Sequence, residues 1–212
     1  MAKGDEAIKY NNRRRRSLMK KNNFFAMLAR MKYINRWGLM RNTINENIAE
    51  HSLDVAMIAH GLATISNLYF DGRNDAERVA VLALFHDTTE IITGDMPTPI
   101  KYYAPEIKNA YKDVEAQAAK QLVKGLPDEM REVYEDILLP CEEDKELHKF
   151  VKAADKISAY IKCIEEKRMG NTDFEKAEKS TLDAIKAMNM KEVDYFMENF
   201  MPSYSLTIDE QA

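Results

Sequence analysis

Hydrophobic side chains recur every three to four positions along most of the chain, which is the period of an α-helix with one buried face. Turn-forming residues interrupt this pattern at 71–75, Gly94, Gly125 and Gly170. No alternating apolar and polar run of useful length predicts a β-strand. The pattern therefore predicts an all-α fold, with helices over about residues 23–36, 48–67, 76–93, 106–124, 128–137, 143–169, 173–188 and 193–200.

The amino-acid composition of the chain argues against several functional classes of protein. The chain has 212 residues, enough for one domain with a substantial core, and its formal net charge of −4 argues against general binding of nucleic acid or membranes. No apolar run approaches the roughly 20 residues needed to cross a bilayer, and the N-terminus lacks a signal-peptide apolar region. We therefore expect a cytoplasmic protein, with Cys141 and Cys163 as reduced thiols.

The first 21 residues differ from the rest of the chain because they are polar and contain a run of four arginines, Arg13–Arg16. Such a segment is typical of a flexible, solvated tail, and the alternative is a basic arm for an anionic partner. Because the remainder of the chain is acidic, we favour the flexible tail. The predicted organisation is a tail over residues 1–21 and one domain over residues 22–212.

An unusual group of ionisable residues follows the apolar run of residues 79–85. His86 and Asp87 close that run, and Glu90 follows His86 by four positions, which on a continuous helix places both side chains on one face. Gly94 then ends the predicted helix, and Asp95 begins a loop that contains Pro97. Polar groups among apolar ones are costly unless a metal or a substrate uses them, so this stretch predicts a functional site.

Two further residues extend this group to a candidate metal centre. His51 begins one apolar helix, and Asp155 follows two alanines within another. Each alone is more typical of a capping or an exposed residue. Together with His86 and Asp87 they form a mixed nitrogen and oxygen set that suits Mn, Fe, Co, Ni or Zn, with positions left for water. A metal-bound water with a lowered pKa is a hydrolytic nucleophile at neutral pH.

The other two histidines are not expected to bind the same ion. His60 follows His51 by nine positions, about half a turn away around the same helix. His148 lies about 10 Å from Asp155 along the axis of the predicted helix, which is too far for the two side chains to share one ion.

The order of these motifs resembles that of the bacterial 5′-deoxynucleotidases, within the superfamily of HD-domain metal-dependent phosphohydrolases. The resemblance runs from about residue 22 to near the end of the chain, and the basic tail is a departure from it. The segments that carry it are Phe24-Phe25-Ala26, Ile34-Asn35-Arg36-Trp37, Glu50-His51-Ser52-Leu53, His86-Asp87-x-x-Glu90, Thr93-Gly94-Asp95-Met96-Pro97-Thr98-Pro99, Asp194-Tyr195-Phe196-Met197 and Pro202-Ser203.

This resemblance implies a fold, a reaction and roles for individual residues. The fold would be a single HD-domain helical bundle, and the reaction would be hydrolysis of 2′-deoxynucleoside 5′-monophosphates to deoxynucleoside and phosphate. One divalent transition metal, Co²⁺, Mn²⁺ or similar, would be held by His51, His86, Asp87 and Asp155. His51, Asp87 and Asp155 would also lie against the substrate.

The remaining roles concern water activation and substrate recognition. Glu90 would act as the general base, and Arg36 would orient the 5′-phosphate. Trp37 would crowd a 2′-hydroxyl and so favour deoxyribose. The loop of Asp95, Met96, Pro97 and Thr98 would hold the nucleoside.

Two alternatives stay open at this point. One is an HD-type hydrolase of another nucleotide, such as a triphosphate or an alarmone. The other is a non-catalytic helical module that binds a metal or a nucleotide. The resemblance also suggests a homodimer, whereas neither the physiological metal nor the base preference can be read from these residues.

Overall fold

The computed structural model describes residues 22–101, 103–139 and 141–211. The tail predicted over residues 1–21, with its run Arg13–Arg16, lies outside the described residues. Within the described ranges the chain forms α-helices, short 3₁₀ turns and no β-strand; Asn35 and Asn47 form an isolated antiparallel bridge. The prediction of an all-α fold is confirmed.

The helices are numbered here in chain order. They are α1 (Phe24–Leu28), α2 (Ile48–Tyr69), α3 (Ala76–Leu84), α4 (Glu90–Thr93), α5 (Thr98–Lys101), α6 (Pro105–Val123), α7 (Asp128–Leu138), α8 (His148–Arg168), α9 (Glu175–Ala187) and α10 (Lys191–Asn199). The 3₁₀ turns are Met31–Tyr33, Thr172–Phe174, Met201–Ser205 and Ile208–Glu210.

The described residues divide into two compact units. The smaller unit comprises residues 22–31 and 88–139, and the larger comprises residues 32–87 and 141–211. The organisation of residues 22–212 as one HD-type domain stays a prediction.

Helix α2 is central to the core of the larger unit. It packs against α3, α8 and α10, and α9 packs against α8. Asn47 defines its start, because the Asn47 side chain accepts hydrogen bonds from the backbone of Ala49 and Glu50 while the Glu50 carboxylate accepts one from Asn47 N. Fully buried members of this core include Val55, Leu62, Val79, Phe150 and Ile157.

The smaller unit is built on helix α6, which contacts α1, α4, α5 and α7. The buried Phe24 ring lies edge-on to Tyr134 at a centroid distance of 4.8 Å, and Phe24 N donates to Gly125 O at 3.1 Å. A Cβ atom at Gly125 would lie 3.0 Å from both Leu122 O and Phe24 N, so this close approach of backbone favours glycine.

The structure corrects the helix that was predicted to run through His86 to Glu90. Helix α3 ends at Leu84, residues 85–89 form a turn, and Glu90 begins the separate helix α4. The carbonyl of Ala83, which a continuing helix would bond to Asp87 N, is taken up by His86 N at 3.3 Å and His86 Nδ1 at 2.7 Å. The predicted i,i+4 relation of His86 and Glu90 on one helical face is therefore wrong.

Two other boundaries also differ from the prediction. Helix α1 ends at Leu28 rather than near Arg36, because residues 34 and 36 bond instead to the backbone of residues 48 and 46. Helix α8 begins at His148, after a turn over residues 143–147.

Across the described ranges, no helix combines the length and the apolar content that a membrane span requires. Cys141 and Cys163 are both free, in agreement with the prediction of reduced thiols. Burial raises the pKa of the Cys163 thiol to about 12, since the apolar surroundings disfavour the thiolate.

Candidate metal centre and active site

Three elements of the larger unit bring the predicted metal ligands together. His51 lies in the first turn of α2, His86 and Asp87 lie in the turn after α3, and Asp155 lies on α8. His51 Nε2 is 3.3 Å from Asp155 Oδ1 and 3.5 Å from Asp87 Oδ2, and His86 Nε2 is 3.2 Å from the same Asp87 oxygen. The four residues chosen from the sequence therefore converge.

The spacing of these donors suits a single ion. One donor atom from each of His51, His86 and Asp87 lies within 4.8 Å of the other two, and Asp155 joins them through its contact with His51. Two donors at about 2.1 Å from the same ion are separated by at most about 4 Å. The three nitrogen–oxygen distances of 3.2 to 3.5 Å fall within that limit, whereas the 4.8 Å bound on the whole three-donor group is somewhat wider.

Hydrogen bonds at the far side of each imidazole orient the metal-facing nitrogen. His86 Nδ1 donates to Ala83 O at 2.7 Å, and His51 Nδ1 lies 3.1 Å from Ser158 Oγ. Nε2 of both histidines is buried and makes no hydrogen bond of acceptable geometry within the described residues. Buried polar atoms are costly without a partner, so this donor set fits a metal ion.

The charges of the site also favour a cation. Although burial opposes ionisation, the neighbouring His86 and His51 lower the pKa of Asp87 to about 2. Burial likewise opposes ionisation of Asp155, but His51 and Lys156 hold its pKa well below its usual range. Both carboxyl groups are therefore acceptors at neutral pH.

The two imidazoles differ in their pKa shifts. Burial, reinforced by the Arg36 charge, lowers the pKa of His51, which favours a neutral ring. Burial also disfavours the charged form of His86, but the Asp87 carboxylate outweighs it and raises the pKa of His86. A metal ion at His86 Nε2 would have to displace a proton.

Arg36 and Trp37 lie beside the candidate ligands. The Arg36 guanidinium donates from Nη1 to Glu46 Oε2 at 2.8 Å, and its Nη2 is 3.8 Å from Asp155 Oδ1. Trp37 Nε1 donates to the same Glu46 oxygen at 3.0 Å. A cation beside the candidate ligands is suitably placed for an anionic group, and the role of Arg36 in phosphate binding stays a prediction.

Sequence reasoning missed Glu46, because no local pattern distinguishes this carboxylate from other polar residues that precede the helix predicted over residues 48–67. It also missed a buried ion pair on α8, in which Lys162 Nζ donates to Glu166 and to Ile44 O. The only local signal for that pair was its i,i+4 spacing, which is equally typical of an exposed salt bridge.

Glu166 fixes the loop that leads to Glu46. Its carboxylate accepts hydrogen bonds from Thr43 N at 2.9 and 3.1 Å, from Ile44 N at 3.0 Å and from Asn171 Nδ2 at 2.6 Å. Although burial opposes ionisation, the hydrogen bonds from Lys162 and the loop backbone lower the pKa of Glu166 to about 2. This loop segment is therefore held from α8.

The smaller unit carries the other residues named from the sequence. Glu90 is buried in the first turn of α4. Gly94, with a φ of 73°, ends that helix. Asp95, Met96 and Pro97 are partly buried, and Thr98 begins α5. The roles of Glu90 and of residues 95–98 stay predictions.

Comparison with known proteins assigns the family. Residues 23–204 match the family model described as 5′-deoxynucleotidase YfbR-like. This chain belongs to the YfbR-like 5′-deoxynucleotidase family. A 5′-deoxynucleotidase of Vibrio atlanticus is 47% identical over 192 residues, which cover 91% of this chain and 99% of the relative. The 5′-deoxynucleotidase YfbR of Shigella boydii is 46% identical, with 91% and 96% covered.

Solved structures show the same fold. An HD-domain phosphohydrolase from Listeria innocua matches 89% of this chain and 91% of its own at a TM-score of 0.75 and 22% identity. A second solved structure is the HD phosphohydrolase DatZ of cyanophage S-2L, bound to dA and one catalytic Zn²⁺ ion. It matches 86% of this chain and 96% of its own, with a TM-score of 0.63 and 23% sequence identity. The prediction of an HD-domain helical bundle is thereby confirmed.

Removal of His51 should abolish tight metal binding. Replacement of a residue that only hydrogen-bonds to a metal ligand lowers metal affinity by roughly 10- to 100-fold. In His51→Ala, which removes a ligand itself, we expect the affinity for Co²⁺ to fall by more than that. The matched control is His60→Ala, an exposed histidine on the same helix, which should bind as the wild type does. Calorimetric titration measures both, and wild-type affinity in His51→Ala would exclude this histidine as a ligand.

Glu166 should stabilise the fold in a pH-dependent way. Its pKa of about 2 in the folded protein lies below the roughly 4.3 of an unfolded glutamate, so its contribution is complete above about pH 4.3 and is lost as pH falls towards 2. Glu166→Gln should cost about 3–5 kcal/mol at pH 7, because Lys162 stays buried without its counter-ion.

Chemical denaturation at pH 7, 4 and 3 measures this effect. The control Glu165→Gln changes an exposed neighbour on the same helix and should stay within about 0.5 kcal/mol of wild type. A difference between wild type and Glu166→Gln that widens towards pH 3 would contradict the assignment.

Proposed function

We propose that this protein is a metal-dependent phosphomonoesterase that hydrolyses 2′-deoxynucleoside 5′-monophosphates to deoxynucleoside and phosphate. The observation that carries the proposal is the convergence of His51, His86, Asp87 and Asp155, in which both buried imidazole Nε2 atoms face carboxylate oxygens at 3.2 to 3.5 Å. Membership of the 5′-deoxynucleotidase family supports the choice of substrate.

These four residues would hold one divalent transition metal, Co²⁺, Mn²⁺ or a similar ion. When bound, such an ion lowers the pKa of a coordinated water and neutralises charge on a phosphoryl oxygen. His51, Asp87 and Asp155 would also line the position of the substrate phosphate. Mixed nitrogen and oxygen ligands accept several of these metals, so availability decides among them.

Arg36 would bind the 5′-phosphate. Its planar guanidinium can donate two parallel hydrogen bonds to phosphate oxygens, and its position near Asp155 places that charge beside the metal ligands. Because charge on the phosphoryl oxygens changes during transfer, a fixed cation there also stabilises the transition state.

Glu90 would accept the proton of the attacking water as general base. Its place three residues after Asp87 in the chain and the family resemblance support this role, whereas its four-residue spacing from His86 does not, because the two residues do not share a helix.

Trp37 would pack against the sugar and crowd a 2′-hydroxyl. Asp95, Met96, Pro97 and Thr98 would hold the nucleoside, with Asp95 accepting a hydrogen bond from a sugar hydroxyl.

We also propose that the enzyme acts in the cytoplasm as a homodimer, without nucleic-acid or membrane partners. The free cysteines agree with a reducing compartment, and the acidic net charge of −4 disfavours polyanionic partners. Leu53 and Met57 are more than half exposed on adjacent turns of α2 and would suit a protein interface. Sedimentation equilibrium of the purified chain measures the oligomeric state.

Phosphate release from dAMP and AMP, measured side by side, tests the function. The enzyme is stripped with a chelator and then supplied with Co²⁺, Mn²⁺, Mg²⁺ or Zn²⁺. We expect metal-dependent release that is faster from dAMP than from AMP. Equal rates from the two substrates would support hydrolase activity but contradict the preference for deoxyribose. No phosphate release with any of the metals would overturn the proposal.

Glu90→Ala should separate catalysis from metal binding. Loss of a general base lowers turnover by about 10²- to 10⁴-fold, while the metal content should stay near that of wild type. The control Glu106→Ala removes an exposed carboxylate from the first turn of α6 and should leave turnover unchanged. If Glu90→Ala keeps most of its activity, Glu90 is not the base.

A further inference from the structure

Glu46 joins the two residues expected to recognise the substrate. A single carboxylate oxygen, Oε2, accepts from Arg36 Nη1 at 2.8 Å and from Trp37 Nε1 at 3.0 Å. The other oxygen, Oε1, lies 3.8 Å from Nδ1 of His51. The Glu46 side chain therefore contacts both recognition residues and faces a metal ligand, and it is only 12% exposed.

The backbone around Glu46 is held in place independently of its side chain. Arg36 N donates to Glu46 O at 2.9 Å, and Ile48 N donates to Ile34 O at 3.0 Å. Immediately after Glu46, the Asn47 cap fixes the start of α2. The carboxylate therefore projects from a rigid point and can orient the groups it bonds.

Trp37 needs such support because its backbone is strained. Its φ of 60° lies in the left-handed region, which costs a bulky residue roughly 1–3 kcal/mol. Such a conformation persists only where contacts with the surrounding structure offset that cost. Its carbonyl accepts from Met40 N at 2.8 Å and Asn42 Nδ2 at 3.1 Å, and its ring lies 5.3 Å from the Phe174 ring. Glu46 adds the polar contact that orients the indole N–H.

We propose that Glu46 is a positioning residue for substrate selection. It holds the Arg36 guanidinium and the Trp37 indole at a fixed separation beside the metal ligands. This inference rests on the proposed function, since Arg36 is assigned there to the phosphate and Trp37 to the sugar. By linking the two, Glu46 sets where the 2′-carbon lies against the indole when the phosphate is bound.

A carboxylate suits this task better than an amide. An ionised glutamate is an acceptor at both oxygens, so it can receive two donors on one oxygen without presenting a donor elsewhere. Its charge also strengthens the hydrogen bond from the guanidinium. Glutamine can supply the shared oxygen but loses the charge, whereas alanine removes both contacts.

Fluorescence of Trp37 gives a test that needs no catalysis, because Trp37 is the sole tryptophan of the chain. The variants are Glu46→Ala and Glu46→Gln. The matched control is Glu50→Gln, since glutamine also serves in the capping box. We expect stronger acrylamide quenching and a red-shifted emission in Glu46→Ala, a smaller change in Glu46→Gln and none in Glu50→Gln.

The second measurement is the ratio of kcat/KM for dAMP to that for AMP. We expect this ratio to fall about two- to tenfold in Glu46→Ala, which is the range for loss of one ordinary hydrogen bond, and less in Glu46→Gln. A merely structural defect lowers the amount of active enzyme and leaves the ratio unchanged. In a Trp37→Ala background, Glu46→Ala should no longer alter the ratio.

The outcomes separate this inference from the proposed function. Unchanged Trp37 fluorescence in Glu46→Ala overturns the positioning role. Altered fluorescence with an unchanged substrate ratio overturns the role in selection. If the wild type releases no phosphate from dAMP while Glu46→Ala alters the fluorescence, the proposed function fails and the positioning of Trp37 by Glu46 is upheld.

Discussion

A row of polar side chains on helix α8, of which Ser158, Lys162 and Glu166 are buried and Asp155 is partly buried, is the constraint on which the larger unit depends. Asp155, Ser158, Lys162 and Glu166 follow one another at helical spacing, so they share a face of α8. Asp155 and Ser158 meet His51, whereas Lys162 and Glu166 meet the loop at residues 43–44. Since each would be costly if buried alone, α8 and α2 can pack well only in the register that pairs them all.

The same packing also arranges the candidate metal centre. Ser158 and the Ala83 carbonyl engage Nδ1 of the two histidines, which leaves both Nε2 atoms directed towards the carboxylates. Two ionised carboxyl groups so close together would repel each other, and a divalent cation relieves that repulsion. This repulsion lowers the stability of the fold, which is expected where residues serve to bind a ligand rather than only to stabilise the fold.

Arg36 and Trp37, the residues proposed to recognise the substrate, are also connected to α8 through a series of contacts. Glu166 bonds the backbone of residues 43 and 44, the loop leads to Glu46, and Glu46 bonds Arg36 and Trp37. A strained Trp37 backbone is kept where several contacts determine it together. One helix therefore positions both the candidate metal ligands and the residues proposed to select the substrate.

The sequence by itself determined the all-α fold, the start of α2 near residue 48 and, through the order of its motifs, the family and the four candidate metal ligands. Those features depend on local periodicity, capping chemistry and a shared pattern. Only the tertiary structure decided that α3 stops before His86, that Glu46 bridges Arg36 and Trp37, and that Lys162 and Glu166 are buried. The last pair meets a loop more than 100 residues away, and helical spacing alone does not distinguish such a pair from one in water.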